Sequence, residues 1–160
     1  MTLPEQERER FCQVLHHSRT SLYRLAFSIT RNSSDAQEAV AEAVCRAYER
    51  YPQLREKEKL PRWLLKITAN EARRLCQRRG RTVSLDEPAI PGRETGDDTL
   101  WQAVQTLPRD QREAVVLFYY EDLPTEEIAR IVGTSPGAVR VRLSRAREKL
   151  RSILKEGDYG

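Results

Sequence analysis

Apolar residues recur at helical spacing along almost the whole 160-residue chain. Phe11, Leu15, Ser18, Leu22, Leu25 and Ile29 fall on one line, with Val14 and Ala26 beside it, and predict a first helix over about residues 4–30. Arg31-Asn32-Ser33-Ser34 interrupts the pattern, and Ser33 or Ser34 is placed to cap the next helix. That second helix, expected over 35–51, turns Ala36, Val40, Ala43, Val44, Ala47, Tyr48 and Tyr51 inward and Asp35, Glu38, Glu42 and Glu49 outward. Pro52 closes it, and PQLREKEK at 52–59 reads as a loop. Leu60-Pro61 opens a third helix, because proline suits the first turn. This helix carries Trp63, Leu64, Ile67 and Leu75 inward, ends in a run of arginines, and has Gly80 as its stop.

The pattern then lapses. Residues 82–99 hold two prolines, two glycines and five acids, which reads as a linker. A fourth helix is expected from Asp97 or Asp98, burying Leu100, Val104 and Leu107. Pro108 opens a fifth, with Val115, Val116, Phe118 and Tyr119. The clearest pattern follows, in LPTEEIARIVGTSPGAVRVRLSRAREKLRSIL at 123–154. Ala129, Gly133 and Val139 have the spacing of a helix-turn-helix: a small residue for close approach, a glycine for the turn, an apolar residue to close the core. Its second helix sets Val139, Leu143, Ala146, Leu150, Ile153 and Leu154 on one stripe and arginines off it. The expected architecture is all-α. Two small helical domains, 1–81 and 97–160, are joined by an acidic flexible linker at 82–96.

Charge distribution adds a functional direction. Residues 1–80 hold 16 Lys/Arg against 10 Asp/Glu, and the stretch 136–155 holds seven against Glu148 alone. A rigid helix with an apolar back and a basic front is suited to a DNA major groove. The third helix combines basic residues with Trp63 and Asn70. Rings stack on unstacked bases and amides read their edges. Catalytic chemistry has no comparable signal. The chain has no G-x-x-x-x-G-K-[ST], G-x-S-x-G or H-E-x-x-H motif, and adjacent His16 and His17 read as surface residues. No catalytic residue, cofactor or metal is therefore expected. Cys12, Cys45 and Cys76 are widely spaced without a C-x-x-C, and are expected to be buried or semi-buried thiols. The N-terminus is charged where a signal peptide would be apolar, and no run is long enough to span a membrane. A cytoplasmic protein is expected.

From Leu22 to Leu154 the chain resembles the extracytoplasmic-function group of bacterial RNA polymerase sigma factors. DAQEAVAEAVCRAY at 35–48 is similar to the second conserved helix of sigma domain two, and LPRWLLKITANEARRLCQRR at 60–79 to the helix that reads and melts the −10 element. The segment 107–150 is similar to domain four, which reads the −35 element. The resemblance implies a transcription initiation factor that binds core RNA polymerase and directs it to a two-part promoter. Asp35, Glu38 and Glu42, with Val40 and Arg46 on the same helix, would face the polymerase. Asn70 and Trp63, backbone-gripping Lys66, Arg73 and Arg74, and loop residues Leu54, Arg55 and Lys57 would serve the −10 element. Arg140, Arg142, Arg145 and Arg147, with Val141 and Ser144, would meet the −35 element. An anti-sigma partner is also implied, without membrane insertion of the chain itself.

Four positions depart from the family pattern. Ala39 and Ala41 stand where Leu and Gln are usual, and Ala138 and Val141 where Thr and Ser are frequent on the recognition helix. Two rival readings compete with the initiation factor. A stand-alone helix-turn-helix repressor or activator would leave 35–79 without a task. A helical interaction or redox module would be built around the three cysteines.

Overall fold

A non-glycine residue ends the first helix. In the computed structural model, which describes residues 3–79 and 98–159, helix α1 (Glu5–Thr30) closes on Arg31 at φ 55°, ψ 30°, whose N–H donates to the Phe27 carbonyl at 2.7 Å. Asn32 then lies extended, and its side chain accepts the Asp35 N–H at 2.9 Å. The cap of helix α2 (Ser33–Arg50) is thus Asn32, not Ser33 or Ser34, and the helix begins two residues before the expected start. Ser33 is otherwise engaged, since its hydroxyl shares a 2.7 Å hydrogen bond with Tyr23 of α1.

Four alanines of α2, Ala36, Ala39, Ala43 and Ala47, are buried at spacings of three and four, so the backbone approaches its neighbours closely. Against them pack Leu22 and Leu25 of α1 and Leu64 and Ala72 of helix α3 (Leu60–Arg78) within one core. Phe11 meets Tyr48 and Tyr51 edge-to-face, each at 5.4 Å. The expected 52–59 loop is shaped by two 3₁₀ turns, Tyr51–Gln53 and Lys57–Lys59. The cysteine expectation fails for two of three thiols. Cys12 and Cys45 are exposed and Cys76 is half-buried. α1 and α2 each present one face to the core, and Cys12 and Cys45 lie on the other.

Beyond the linker, helix α4 (Asp98–Gln105) buries Trp101 edge-on to Tyr120 at 5.4 Å. Helix α5 (Arg109–Val115) runs on into a π-helical turn, Val116–Tyr120. Helices α6 (Thr125–Val132) and α7 (Pro136–Tyr159) form the helix-turn-helix. Gly133 joins them at φ 78°, the left-handed conformation that glycine adopts without a Cβ penalty. Ser135 starts α7, its hydroxyl accepting the Ala138 N–H at 3.1 Å. Four of the six residues of the expected stripe, Val139, Leu143, Ala146 and Leu150, are buried, and Ile153 and Leu154 are half-buried against the same core. Among the described residues there is no strand. The linker expected at 82–96 lies outside the described residues.

The first three helices and the last four are packed against each other, which periodicity gave no reason to expect. Among the described residues, three ion pairs cross the seam. Arg24 meets Glu121 at 3.1 Å, Arg62 meets Glu127 at 3.2 Å, and Arg73 meets Glu113 at 2.8 Å. Arg112 reaches back through Nε to the Ser28 carbonyl at 2.6 Å. Gln105 donates to the Ser28 hydroxyl at 3.3 Å and accepts from Arg31.

Candidate nucleic-acid and polymerase interfaces

The helix-turn-helix divides its basic residues between two tasks. At 3.6 residues per turn, positions 140, 141, 144 and 145 share the side of α7 away from the buried stripe. Arg140, Val141, Ser144 and Arg145 are all exposed, Val141 at 48%. They form one patch with two guanidinium groups, a hydroxyl and an aliphatic side chain. Arginine pairs bidentately with guanine, hydroxyls bond several base edges, and aliphatic groups meet the thymine methyl. Arg142 and Arg147 instead flank the stripe on its two edges and turn toward the protein. Arg142 faces Asp110 of α5 at 3.7 Å. Arg147 donates to the Tyr119 hydroxyl at 2.7 Å, and its guanidinium lies over the Phe118 and Tyr119 rings. Both also serve to hold α7 on α5 and the π turn.

On α3, Trp63, Lys66, Asn70 and Arg73 follow one another at three- and four-residue steps. Lys66 and Asn70 are exposed, while Trp63 is half-buried against the core. Arg73 is only 26% exposed, because its guanidinium enters the seam to meet Glu113, which is 4% exposed. Its other nitrogen donates to Asn70 Oδ1 at 3.4 Å. Arg74 is half in solvent and pairs with Glu71 at 3.1 Å. In the 52–59 loop Arg55 is exposed and Leu54 is half-buried. Lys57 is a local clamp, its Nζ donating to the Tyr51 and Leu54 carbonyls at 2.8 and 2.6 Å and lying over the Tyr51 ring. The exposed part of this group is therefore Arg55, Lys66, Asn70 and Arg74.

The acidic face of α2 carries its own counter-charges. Arg79 bridges Asp35 at 3.5 Å and Glu38 at 3.1 Å. Arg46 lies 3.8 Å from Glu42 and 2.7 Å from the buried Glu71. Between these groups lies a hollow of about 130 Å³ lined by Glu38, Glu42, Arg46, Glu71 and Arg78. Val40 is half-buried on another side of α2. Sequence reasoning missed Arg79, Glu71 and Glu113. Each has a partner on another helix, 41, 25 and 40 residues away, beyond any helical repeat.

Two perturbed groups sit near these faces. Burial pushes the Cys76 thiol above its ordinary pKa, and its Sγ donates to the Ile29 carbonyl at 3.7 Å. Burial also lowers Arg112, with help from Arg31 and Arg109, to about 10, so it stays charged at neutral pH. No described cluster of His, Cys, Asp or Glu is placed to hold a metal ion. No described helix is long and apolar enough to cross a membrane.

Comparison with known proteins finds two family matches in order along the chain: Sigma-70 region 2 over residues 14–82, and Sigma-70 region 4 over residues 97–150. RNA polymerase sigma factor SigV of Bacillus subtilis is 31% identical over 142 residues, covering 85% of this chain and 86% of SigV. The extracytoplasmic-function sigma factor SigM of Mycobacterium tuberculosis is 29% identical over 154 residues, covering 92% of this chain and 79% of SigM. Among solved structures, the sigma factor RpoE of Bartonella quintana, crystallised with the anti-sigma factor NepR, superposes with a TM-score of 0.78 at 26% identity. That match covers 92% of this chain and 98% of RpoE. CnrH, solved with the cytosolic domain of CnrY, shares the fold at 24% identity and a TM-score of 0.68 over 93% of this chain and 90% of CnrH.

Proposed function

The chain belongs to the sigma-70 family, as an RNA polymerase sigma factor of the extracytoplasmic-function type, and from that premise we propose how its residues divide the work of promoter recognition. It is a transcription initiation factor that binds core RNA polymerase, brings it to a −10/−35 promoter and helps the duplex open. The observation that carries this reading is the presence of both regions in one chain, in order. Residues 1–81 act at the polymerase and the −10 element, 82–96 link, and 97–160 act at the −35 element. The two matched spans support that division. It acts in the cytoplasm, where promoters are, and performs no bond chemistry of its own.

At the −35 element, Arg140, Val141, Ser144 and Arg145 read or grip the major groove, and Arg142 and Arg147 hold the reading helix at its angle. At the −10 element, Asn70 and the Arg55 loop take unstacked bases, while Lys66, Arg73 and Arg74 position the backbone. Opening costs roughly 1.4 kcal/mol per base-pair step in lost stacking. Capturing a base recovers roughly 1–3 kcal/mol. Holding one or two bases is thus enough to start a bubble that the polymerase enlarges. Asp35, Glu38 and Glu42 meet the polymerase, exchanging Arg79 and Arg46 for basic groups of the partner.

The closed packing has a consequence for this cycle. Arg73 cannot both hold Glu113 and follow a DNA strand, so α3 leaves α5 and α6 when promoter is engaged. The RpoE chain that superposes over both halves was captured with an anti-sigma factor, which supports an anti-sigma protein as the partner of the closed form here. Run-off transcription with purified core polymerase over a promoter library tests the reading. Transcripts should depend on added protein, and none from any promoter with an active core would sink it. A shift of promoter duplex without polymerase, at equal affinity, would favour a stand-alone regulator instead.

A further inference from the structure

Glutamates are seldom buried unless paired. Glu71 of α3 is 7% exposed, and its two partners come from different faces of the molecule. Arg46 belongs to the α2 face assigned above to the polymerase, and its Nε lies 2.7 Å from Glu71 Oε2. Arg74 belongs to the α3 group assigned to the −10 element, and its Nη1 donates to the same oxygen at 3.1 Å. Arg46 has a second, looser acid in Glu42 at 3.8 Å. Two guanidinium groups and two carboxylates thus balance, with Glu71 at the centre. They border the hollow of about 130 Å³, whose wall also holds Glu38 and the exposed Arg78. Glu38 is engaged by Arg79. The two arginines on Glu71 are unequally held, since the Arg46 side chain is 36% exposed and that of Arg74 is 50% exposed.

We propose that Glu71 is a positioning residue that couples polymerase docking to the grip on the −10 strand, holding Arg74 back until Glu42 is taken. The inference rests on the initiation-factor reading. A basic group of the polymerase that pairs with Glu42 removes it from Arg46. Glu71 is then the acid left to Arg46 among the described residues. Two cations share one carboxylate, with Arg78 adding positive charge beside them, and releasing the more exposed cation relieves their repulsion. Arg74 leaves, and its guanidinium fork is free for a phosphate oxygen, which it fits in geometry and charge. The change needs only one side chain to turn away from a partner three residues along its own helix. Coupling of this kind is reciprocal, so a strand held by Arg74 strengthens polymerase docking by the same factor.

A phosphate contact needs no particular base. The test therefore titrates a short, labelled single-stranded DNA of mixed sequence into the free chain, and it can fail while the run-off result stands. Glu71→Gln keeps the shape of the side chain and withdraws its charge, which releases Arg74 without polymerase. Binding should tighten about tenfold, the effect of one charge-assisted contact. The slope of log affinity against log salt should steepen by about 0.7, as for one further phosphate neutralised. Glu42→Gln imitates docking and should tighten binding about threefold. Glu49→Gln removes an equal charge from an exposed position of α2 and should bind like wild type. Adding Arg74→Gln to either acid variant should abolish its gain. Should Glu71→Gln fail to fold, the exposed Glu42→Gln, with and without Arg74→Gln, decides alone. No gain from Glu42→Gln or from a folded Glu71→Gln overturns the proposal, as does a gain that survives Arg74→Gln or is matched by Glu49→Gln. An unchanged salt slope in Glu71→Gln also overturns it, leaving Glu71 a purely structural acid.

Discussion

Replacing Glu113 with Gln should loosen the two halves of the chain without unfolding either. Glu113 is 4% exposed and holds Arg73, itself 26% exposed, at 2.8 Å. Breaking a fully buried pair by removing one partner costs about 3–5 kcal/mol. Arg73 keeps part of its water and its bond to Asn70, so a loss of about 2 kcal/mol is the better figure here. At 1.4 kcal/mol per decade this lowers the closed-to-open ratio roughly thirtyfold. The chain supplies its own reporters, because Trp63 lies on α3 and Trp101 is buried in α4. Urea unfolding of Trp63→Phe and Trp101→Phe follows each half separately. In the otherwise native chain the two midpoints should coincide, since the seam couples them. With Glu113→Gln they should separate, and Arg73→Gln added to Glu113→Gln should cost little more, the signature of one shared interaction. Coincident, unshifted midpoints in Glu113→Gln would show that the ion pair contributes nothing to closure.

Arg140→Ala should weaken −35-dependent transcription by the roughly 1–3 kcal/mol of a good base contact and leave polymerase binding intact; an equal loss of polymerase binding in a pull-down would refute its placement. Arg147→Ala, by contrast, should lower the thermal midpoint more than Arg140→Ala does, since Arg147 carries the Tyr119 hydrogen bond and two ring contacts. Gly133→Ala should cost about 1–2 kcal/mol from the left-handed backbone alone, because a Cβ there meets nothing within 4 Å. Unchanged stability in a denaturant titration would show that the turn relaxes. At pH 8 iodoacetamide should modify Cys76 more slowly than Cys12 or Cys45. Its pKa is raised by burial, so less thiolate is present below that pKa. Peptide mass spectrometry finding Cys76 the fastest would contradict this.

The helix boundaries and the helix-turn-helix were legible because their causes are local. Pro61 and Pro108 restrict the backbone at their own positions, Gly133 frees it for a left-handed turn, and the α7 stripe repeats every turn. The α2 cap was misread because Asn32, Ser33 and Ser34 can all cap, and only the packing of Tyr23 on Ser33 decides among them. Cys12 and Cys45 look apolar by residue type, but both lie exposed on the outer faces of α1 and α2. The candidate site was legible as a set of side chains and not as a set of states. Arg73, Arg142 and Lys57 read as free cations in the sequence, whereas the fold gives each a partner. The seam itself joins residues 40 to 97 apart, a separation that leaves no trace in any local pattern.

The three ion pairs that cross the seam among the described residues are sorted by side. Arg24, Arg62 and Arg73 come from α1 and α3, and Glu121, Glu127 and Glu113 come from the π turn's end, α6 and α5. A seam of alternating signs would bind as well once docked, but would attract weakly from a distance. In these three pairs every cation comes from one half and every anion from the other, so each attracts in the same sense before the halves touch. Salt therefore acts mainly on how fast the chain closes, over a screening length of about 8 Å at physiological ionic strength. The lifetime of the closed form is set by the buried Arg73–Glu113 contact, which salt screens least. Closing and opening are governed by different features of the same interface.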